Sequence, residues 1–68
     1  MEARIEDLKV EVSTLDVMFG GWETCLFHDN GHSSVVQRWP DQDAAISGHN
    51  VVVATLTAFV SIRKGRSH

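Results

Sequence analysis

The sequence predicts an α+β protein in which two helices flank a single β-hairpin. Apolar residues near both ends of the 68-residue chain recur at spacings of three and four, the period of an amphipathic helix. Asn30-Gly31, in the middle, is a pair that two-residue hairpin turns favour. A chain this short buries only about 60 % of its unfolded surface, so its core is marginal. We therefore expect one domain over residues 1–68 that self-associates as a homodimer or larger ring.

The first predicted element is a helix over residues 2–19, which ends at Gly20-Gly21 because glycine readily takes the left-handed position after a helix. A strand remains the alternative, because apolar and charged residues alternate over 8–12 and β-branched residues follow. We interpret the segment as an oligomerisation or docking helix, able to pair with its copy as a short coiled coil. Its apolar stripe consists of Ile5, Leu8, Val12, Leu15 and Phe19.

The second predicted element is a two-stranded antiparallel hairpin over residues 22–39. Its strands are rich in apolar and β-branched residues, and Asn30-Gly31 suits a type I′ turn. The register set by this turn pairs residues of matching chemistry: Trp22 with Trp39, Glu23 with Arg38, Cys25 with Val36 and Leu26 with Val35. Both faces carry apolar side chains, so both need cover from a helix or from another protomer.

The last predicted element is a long helix over residues 41–64. Pro40 breaks the preceding strand, and Asp41 is a suitable N-cap for a helix that begins at the next residue. Gly65 is a plausible stop. Gly48 weakens a helix interior, so we expect it to allow close approach of this helix to the sheet.

Charge and composition limit the classes of partner. The net charge is −3, with acidic residues concentrated over 1–16 and three basic residues over 63–68, so the two ends are expected to attract each other. Three basic residues are too few to indicate a nucleic-acid interface. The uncharged stretch 44–62 has the length of a tail anchor, but its polar residues favour an amphipathic helix, and no membrane partner is expected. The acidic N-terminus predicts no leader, and a single cysteine fits a reducing cytoplasm.

Two sets of residues are candidates for chemistry. Cys25, His28 and His32 have a metal-ligand spacing to which His49 adds a fourth group, but residues three apart on a strand point to opposite faces. His49 and Glu23 form a possible general-base pair, but we favour the interpretation of His49 as a hydrogen-bonded core histidine that fixes the helix on the sheet. We predict neither metal nor cofactor and no enzymatic activity.

Residues 22–49 resemble a pattern found in small uncharacterised phage proteins, especially of the actinobacteriophage type. The first part of the pattern is WETCLF over residues 22–27; the second is RWPD over 38–41, followed by AISGH over 45–49. Trp39 stands where Tyr is usual, and Cys25 where Met is usual. The resemblance implies a strand–turn–strand–helix unit of phage origin, located in the host cytoplasm or the virion, and it implies no activity.

The function that we predict is non-enzymatic protein–protein interaction: a small phage-type assembly or accessory module acting as a homo-oligomer, its partners being itself and possibly a phage or host protein. The alternative is an inhibitor or modulator of a host protein that binds through a Trp22/Trp39 face, since Trp is enriched in interface hot spots. The predicted interface residues are Ile5, Leu8, Val12, Leu15, Phe19, Trp22 and Trp39, and Glu23, Arg38 and His49 are predicted to have a structural role.

Overall fold

One four-stranded antiparallel sheet, covered on one face by one helix, makes up the fold. The computed structural model describes residues 1–65. The strands lie in the sheet in chain order, so each is joined to its neighbour. The α+β class is confirmed, whereas the predicted helix, two-stranded hairpin and helix is wrong. The elements are β1 (Glu2–Ile5), β2 (Val10–Val17), β3 (Gly21–His28), β4 (Ser33–Trp39) and α1 (Gln42–Gly65).

The N-terminal helix predicted over residues 2–19 is wrong, because this segment forms β1, a short 3-10 turn at Glu6–Leu8, and β2. Lys9 takes a left-handed conformation, with φ of 52°, and the chain turns back so that β2 pairs with β1. Ile5 and Val12 are seven residues apart, which would place them on opposite faces of one continuous strand. Because the turn lies between them, both side chains point into the same core. The apolar residues of two short strands therefore have the sequence spacing expected of one helix. The predicted coiled coil presumed a helix over residues 2–19, which these strands replace.

The register of β3 with β4 follows the prediction at one end and departs from it at the other. Trp22 lies opposite Trp39, and Glu23 lies opposite Arg38, as predicted. A β-bulge next to Thr24 then shifts the pairing by one residue, so that Cys25 and Leu26 lie opposite Val35 and Ser34. A bulge adds one residue to one strand, which the pairing of side-chain types in the sequence did not indicate.

The turn between β3 and β4 is longer than the two-residue turn that the sequence predicts. Four residues, 29–32, connect the strands. The Gly31 N–H donates to the His28 carbonyl oxygen at 3.0 Å, and Gly31 has φ of 93°. Asn30 is not in a left-handed conformation, and its side chain instead accepts a hydrogen bond from the His32 N–H at 3.0 Å. The extra loop residues accompany the bulge and change the register.

The C-terminal helix confirms the prediction closely. It runs over Gln42–Gly65, and Asp41 caps it by accepting a hydrogen bond from the Ala44 N–H at 2.8 Å. The expected close approach at Gly48 is also confirmed, because a methyl group at this position would overlap the indole ring of Trp39. The helix is thus held against the end of β4 that precedes it.

The core between α1 and the sheet is small. Ile5, Val10 and Val12 form its buried apolar cluster, and Ala45 of the helix is buried as well. Half-buried side chains of the helix pack against the cluster: Val52, Val53, Leu56 and Val60. The attraction expected between the acidic N-terminal segment and the basic C-terminal residues is present as a 2.5 Å ion pair between Lys64 Nζ and Asp7 Oδ2. Arg66, the remaining basic residue of that prediction, lies outside the described residues.

Candidate interaction site

A buried chain of hydrogen bonds joins the helix to the two central strands. His49 Nδ1 lies 2.7 Å from Thr14 Oγ1, and Thr14 Oγ1 lies 2.5 Å from Thr24 Oγ1. The indole Nε1 of Trp39 donates to Thr24 Oγ1 at 3.0 Å. All three of Thr14, Thr24 and His49 are buried. A sequence rarely reveals such a network, since Thr at alternate strand positions is equally typical of an exposed surface.

The indole group gives this chain of hydrogen bonds one direction. An indole N–H can only donate, so Thr24 Oγ1 accepts from Trp39. The arrangement that uses every hydroxyl hydrogen within the network has Thr24 donating to Thr14, and Thr14 donating to His49 Nδ1. In this direction every hydroxyl hydrogen is used, and His49 is the final acceptor in its neutral form. Burial, and secondarily the charge of the N-terminal ammonium group, lowers the pKa of His49. His49 is thus a hydrogen-bonded core histidine that fixes helix on sheet.

The structure does not bring Glu23 and His49 together. The Thr24 side chain faces the helix, so its neighbour Glu23 faces the opposite side of the sheet. There Glu23 forms an ion pair with Arg38 at 3.3 Å, as the sequence indicates. The Sγ of Cys25 donates to Glu23 Oε1 at 3.6 Å, and burial raises the pKa of this thiol. The sheet separates the acid from the imidazole, so they do not form a dyad.

The residues with metal-ligand spacing are also separated. Cys25 and His28 lie three positions apart in β3 and therefore face opposite sides of the sheet, while His32 lies in the loop before β4. The Nδ1 atom of His49 is hydrogen-bonded to the Thr14 hydroxyl group. Over residues 1–65, no group of three His, Cys, Asp or Glu side chains is placed to hold a metal ion.

The turn between β2 and β3 carries two large apolar side chains into solvent. Met18 is 82 % exposed and Phe19 is 100 % exposed, and we call these two residues the apolar tip. Phe19 has φ of 71°, and Gly20 after it has φ of 79°. A bulky residue with a left-handed backbone is uncommon, and Asn or Gly is the usual occupant of such a position. The packing of the subunit itself does not require Phe at this place.

An apolar groove lies between α1 and the half of the sheet formed by β3 and β4. It has a volume of about 210 Å³, and its exposed lining is entirely apolar. The flank of α1 above the groove continues with exposed apolar side chains, among them Phe59 and Ile62. We call this depression the apolar groove; it is lined by Leu26, Val36, Val51, Val52, Thr55 and Leu56.

The face of the sheet opposite the helix, which we call the open face, mixes apolar and charged groups. Leu15, Phe27 and Val35 are exposed there. Charged side chains border them, and a hydrogen bond with Glu2, together with the negative charge of Glu2, raises the pKa of Glu11. This face is less uniformly apolar than the helix flank.

The seven predicted interface residues do not form one surface. Ile5 and Val12 belong to the core, and Leu8 packs against it. The Trp39 ring packs against Gly48 of the helix, and its Nε1 donates a hydrogen bond to Thr24. Trp22, opposite Trp39 in the sheet, is half-buried. Only Leu15, on the open face, and Phe19, at the apolar tip, are exposed. The sequence analysis missed Met18 and the helix flank, although the uncharged stretch 44–62 is a signal for the latter.

By length and composition, the helix Gln42–Gly65 is long and apolar enough to cross a membrane. Within the fold, 17 % of its most apolar 18-residue stretch is buried. Core helices of soluble proteins meet the same criterion.

No protein-family model, curated protein or solved structure matches this chain.

Proposed function

We propose that this chain is a small non-enzymatic protein–protein interaction module that acts as a homo-oligomer, in a phage-type assembly or accessory role. The observation that supports the proposal is the distribution of exposed apolar side chains. They occupy the apolar tip and the uncharged flank of α1, where a solvent-facing surface would ordinarily carry charge.

The small core gives a thermodynamic reason for association. A small apolar cluster and a hydrogen-bonded network hold the helix to the sheet. Exposed side chains such as Val51, which is 64 % exposed, contribute little to the stability of one isolated subunit. Transfer of this surface from water to a subunit interface would add to the stability of the assembled state.

Light scattering coupled to size-exclusion chromatography tests the proposal directly. We expect a mass above the 7.6 kDa of a single chain. This mass should rise with protein concentration across the micromolar range. A strictly monomeric protein over that range would contradict self-association. Mass spectrometry of purified phage particles then tests the assembly role, because a virion component is retained in particles and an accessory protein of the host cytoplasm is not.

The alternative role, modulation of a host protein through a Trp22/Trp39 face, has less support. The Trp39 ring packs on Gly48 and its Nε1 is bonded to Thr24, so a partner has limited access to it. No second function is therefore proposed.

A further inference from the structure

We propose that the apolar tip of one copy, Met18 and Phe19, occupies the apolar groove of a second copy. This inference rests on the proposed self-association and names the two surfaces that carry it. The contact is between different parts of the two subunits, so it continues head to tail into a ring or a short chain.

The tip has the properties of an anchor. Phe19 is fully exposed in a left-handed conformation that Asn or Gly would adopt with less strain. A fully exposed aromatic residue in such a conformation points to a contact outside the subunit. Phe and Met are both enriched in interface cores.

The groove has the properties of a receptor for a side chain. Its volume of about 210 Å³ is below the range of about 300–1,000 Å³ typical of pockets for small molecules. Its apolar lining offers no polar group to orient such a ligand. One large apolar side chain, delivered by a partner, matches both its size and its chemistry.

Charge also favours this pairing. Asp16 adjoins the tip in sequence, and the helix beyond the groove ends in Arg63 and Lys64. No charged residue lies over 44–62, so insertion of the tip removes no helix charge from water. Asp16, which adjoins the tip, and Arg63, beyond the groove, have opposite signs, while Lys64 is already paired with Asp7 of its own subunit.

A subunit cannot fill its own groove with its own tip. The tip follows β2, and the groove residue Leu26 lies four positions beyond Trp22 in β3, about 13 Å along the sheet at the rise of a strand. The β2–β3 turn is short and anchored by paired strands on both sides. Insertion therefore requires another copy.

Two variants separate the two surfaces. The tip variant M18S/F19N removes both apolar side chains and leaves Asn, which tolerates a left-handed backbone. The groove variant V51K places a charge on the rim of the groove and favours the helix. The matched controls are N50K, an exposed neighbour that does not line the groove, and F27T, which removes an exposed Phe from the open face.

Light scattering of these proteins, each checked for a cooperative thermal transition by circular dichroism, tests the inference. We expect both the tip variant and the groove variant to fall to a mass of 7.6 kDa while the two controls keep the wild-type mass. An equimolar mixture of the two variants retains one intact groove and one intact tip, so it should form a one-to-one dimer that neither forms alone. F19G and T55K replace any variant that fails to fold.

Each other outcome contradicts a specific statement. If the wild type is oligomeric but both variants remain oligomeric, the tip–groove contact is wrong while self-association stands. If the wild type is monomeric, the proposed homo-oligomer is wrong, and the contact with it. If the monomeric wild type sediments with phosphatidylcholine vesicles and M18S/F19N does not, the tip binds a lipid surface and the inference is overturned.

Discussion

Single residues at the contact between helix and sheet have a large influence on this fold, because the apolar core is so small. Thr14 and Thr24 are fully buried, and their hydroxyl groups join Trp39 to His49. Gly48 allows the Trp39 ring to lie against the helix backbone. A change of one side chain here affects both the packing and the hydrogen bonds.

The G48A variant should be less stable than the wild type by about 1–3 kcal/mol, the usual effect of overpacking. Ala favours a helix interior, but its methyl group would overlap the Trp39 ring and displace the bond from Nε1 to Thr24. Urea unfolding followed by circular dichroism measures the difference. G65A is the control, because open space surrounds that position; equal stability of G48A and the wild type would contradict the close packing.

Folding stability should fall as the pH drops below about 6.5, the ordinary pKa of histidine. The pKa of His49 is lowered in the folded state, so the unfolded chain binds the proton more readily, and acid favours unfolding. The contribution is complete above the unfolded-state pKa and is lost progressively towards the lowered folded-state value.

Urea midpoints at about pH 7.5 and about pH 5.5, values on either side of the ordinary histidine pKa, measure this dependence. In H49Q the difference between the two midpoints should shrink, whereas H32Q, at an exposed loop position, should behave as the wild type. An unchanged difference in H49Q would show that another group carries the pH dependence.

At the scale of elements, local signals predicted the second half of the chain well. Pro40 and Asp41 mark the end of β4 and the cap of α1, and both act within one helical turn of their own position. The pairing of Trp22 with Trp39 follows from matching side chains. The bulge next to Thr24 has no comparable local signal, so the distal half of the hairpin register could not be predicted.

The D41A variant should lose about 1 kcal/mol of stability, the usual effect of removing an N-cap. The carboxylate now accepts the Ala44 N–H at 2.8 Å, and alanine leaves that donor to water. Thermal unfolding by circular dichroism measures the effect, and D41N, which can still accept this bond, should recover most of it. A similar loss in both variants would point to charge rather than to capping.

At the scale of the whole molecule, stability and the proposed association make opposite demands on the apolar tip. The strained Phe19 contributes nothing visible to the packing of its own subunit.

The helix prediction for residues 2–19 also failed for a reason that belongs to the whole molecule. The spacing of Ile5, Leu8 and Val12 fits a helix as well as two strands joined by a turn, and pairing with β3 favours the strands.

The free energy of unfolding of the F19N variant should therefore exceed that of the wild type by about 1 kcal/mol, because Asn adopts a left-handed backbone more easily than Phe. Chemical unfolding at a dilution where both proteins are monomeric measures this term alone. L15T, a strand position with ordinary backbone geometry, is the control for loss of an exposed apolar side chain. A lower stability of F19N would mean that the ring packs within its own subunit.

The sequence by itself determined the C-terminal helix, its cap, its glycine contact and the proximal pairing of the last two strands, because each depends on residues near one another in the chain or on one matched pair. Only the tertiary structure decided that residues 2–17 form two strands joined by a turn, and that His49 faces two buried threonines rather than Glu23. A strand is stable only beside a partner, and the face that a side chain occupies depends on turns and bulges elsewhere in the sheet.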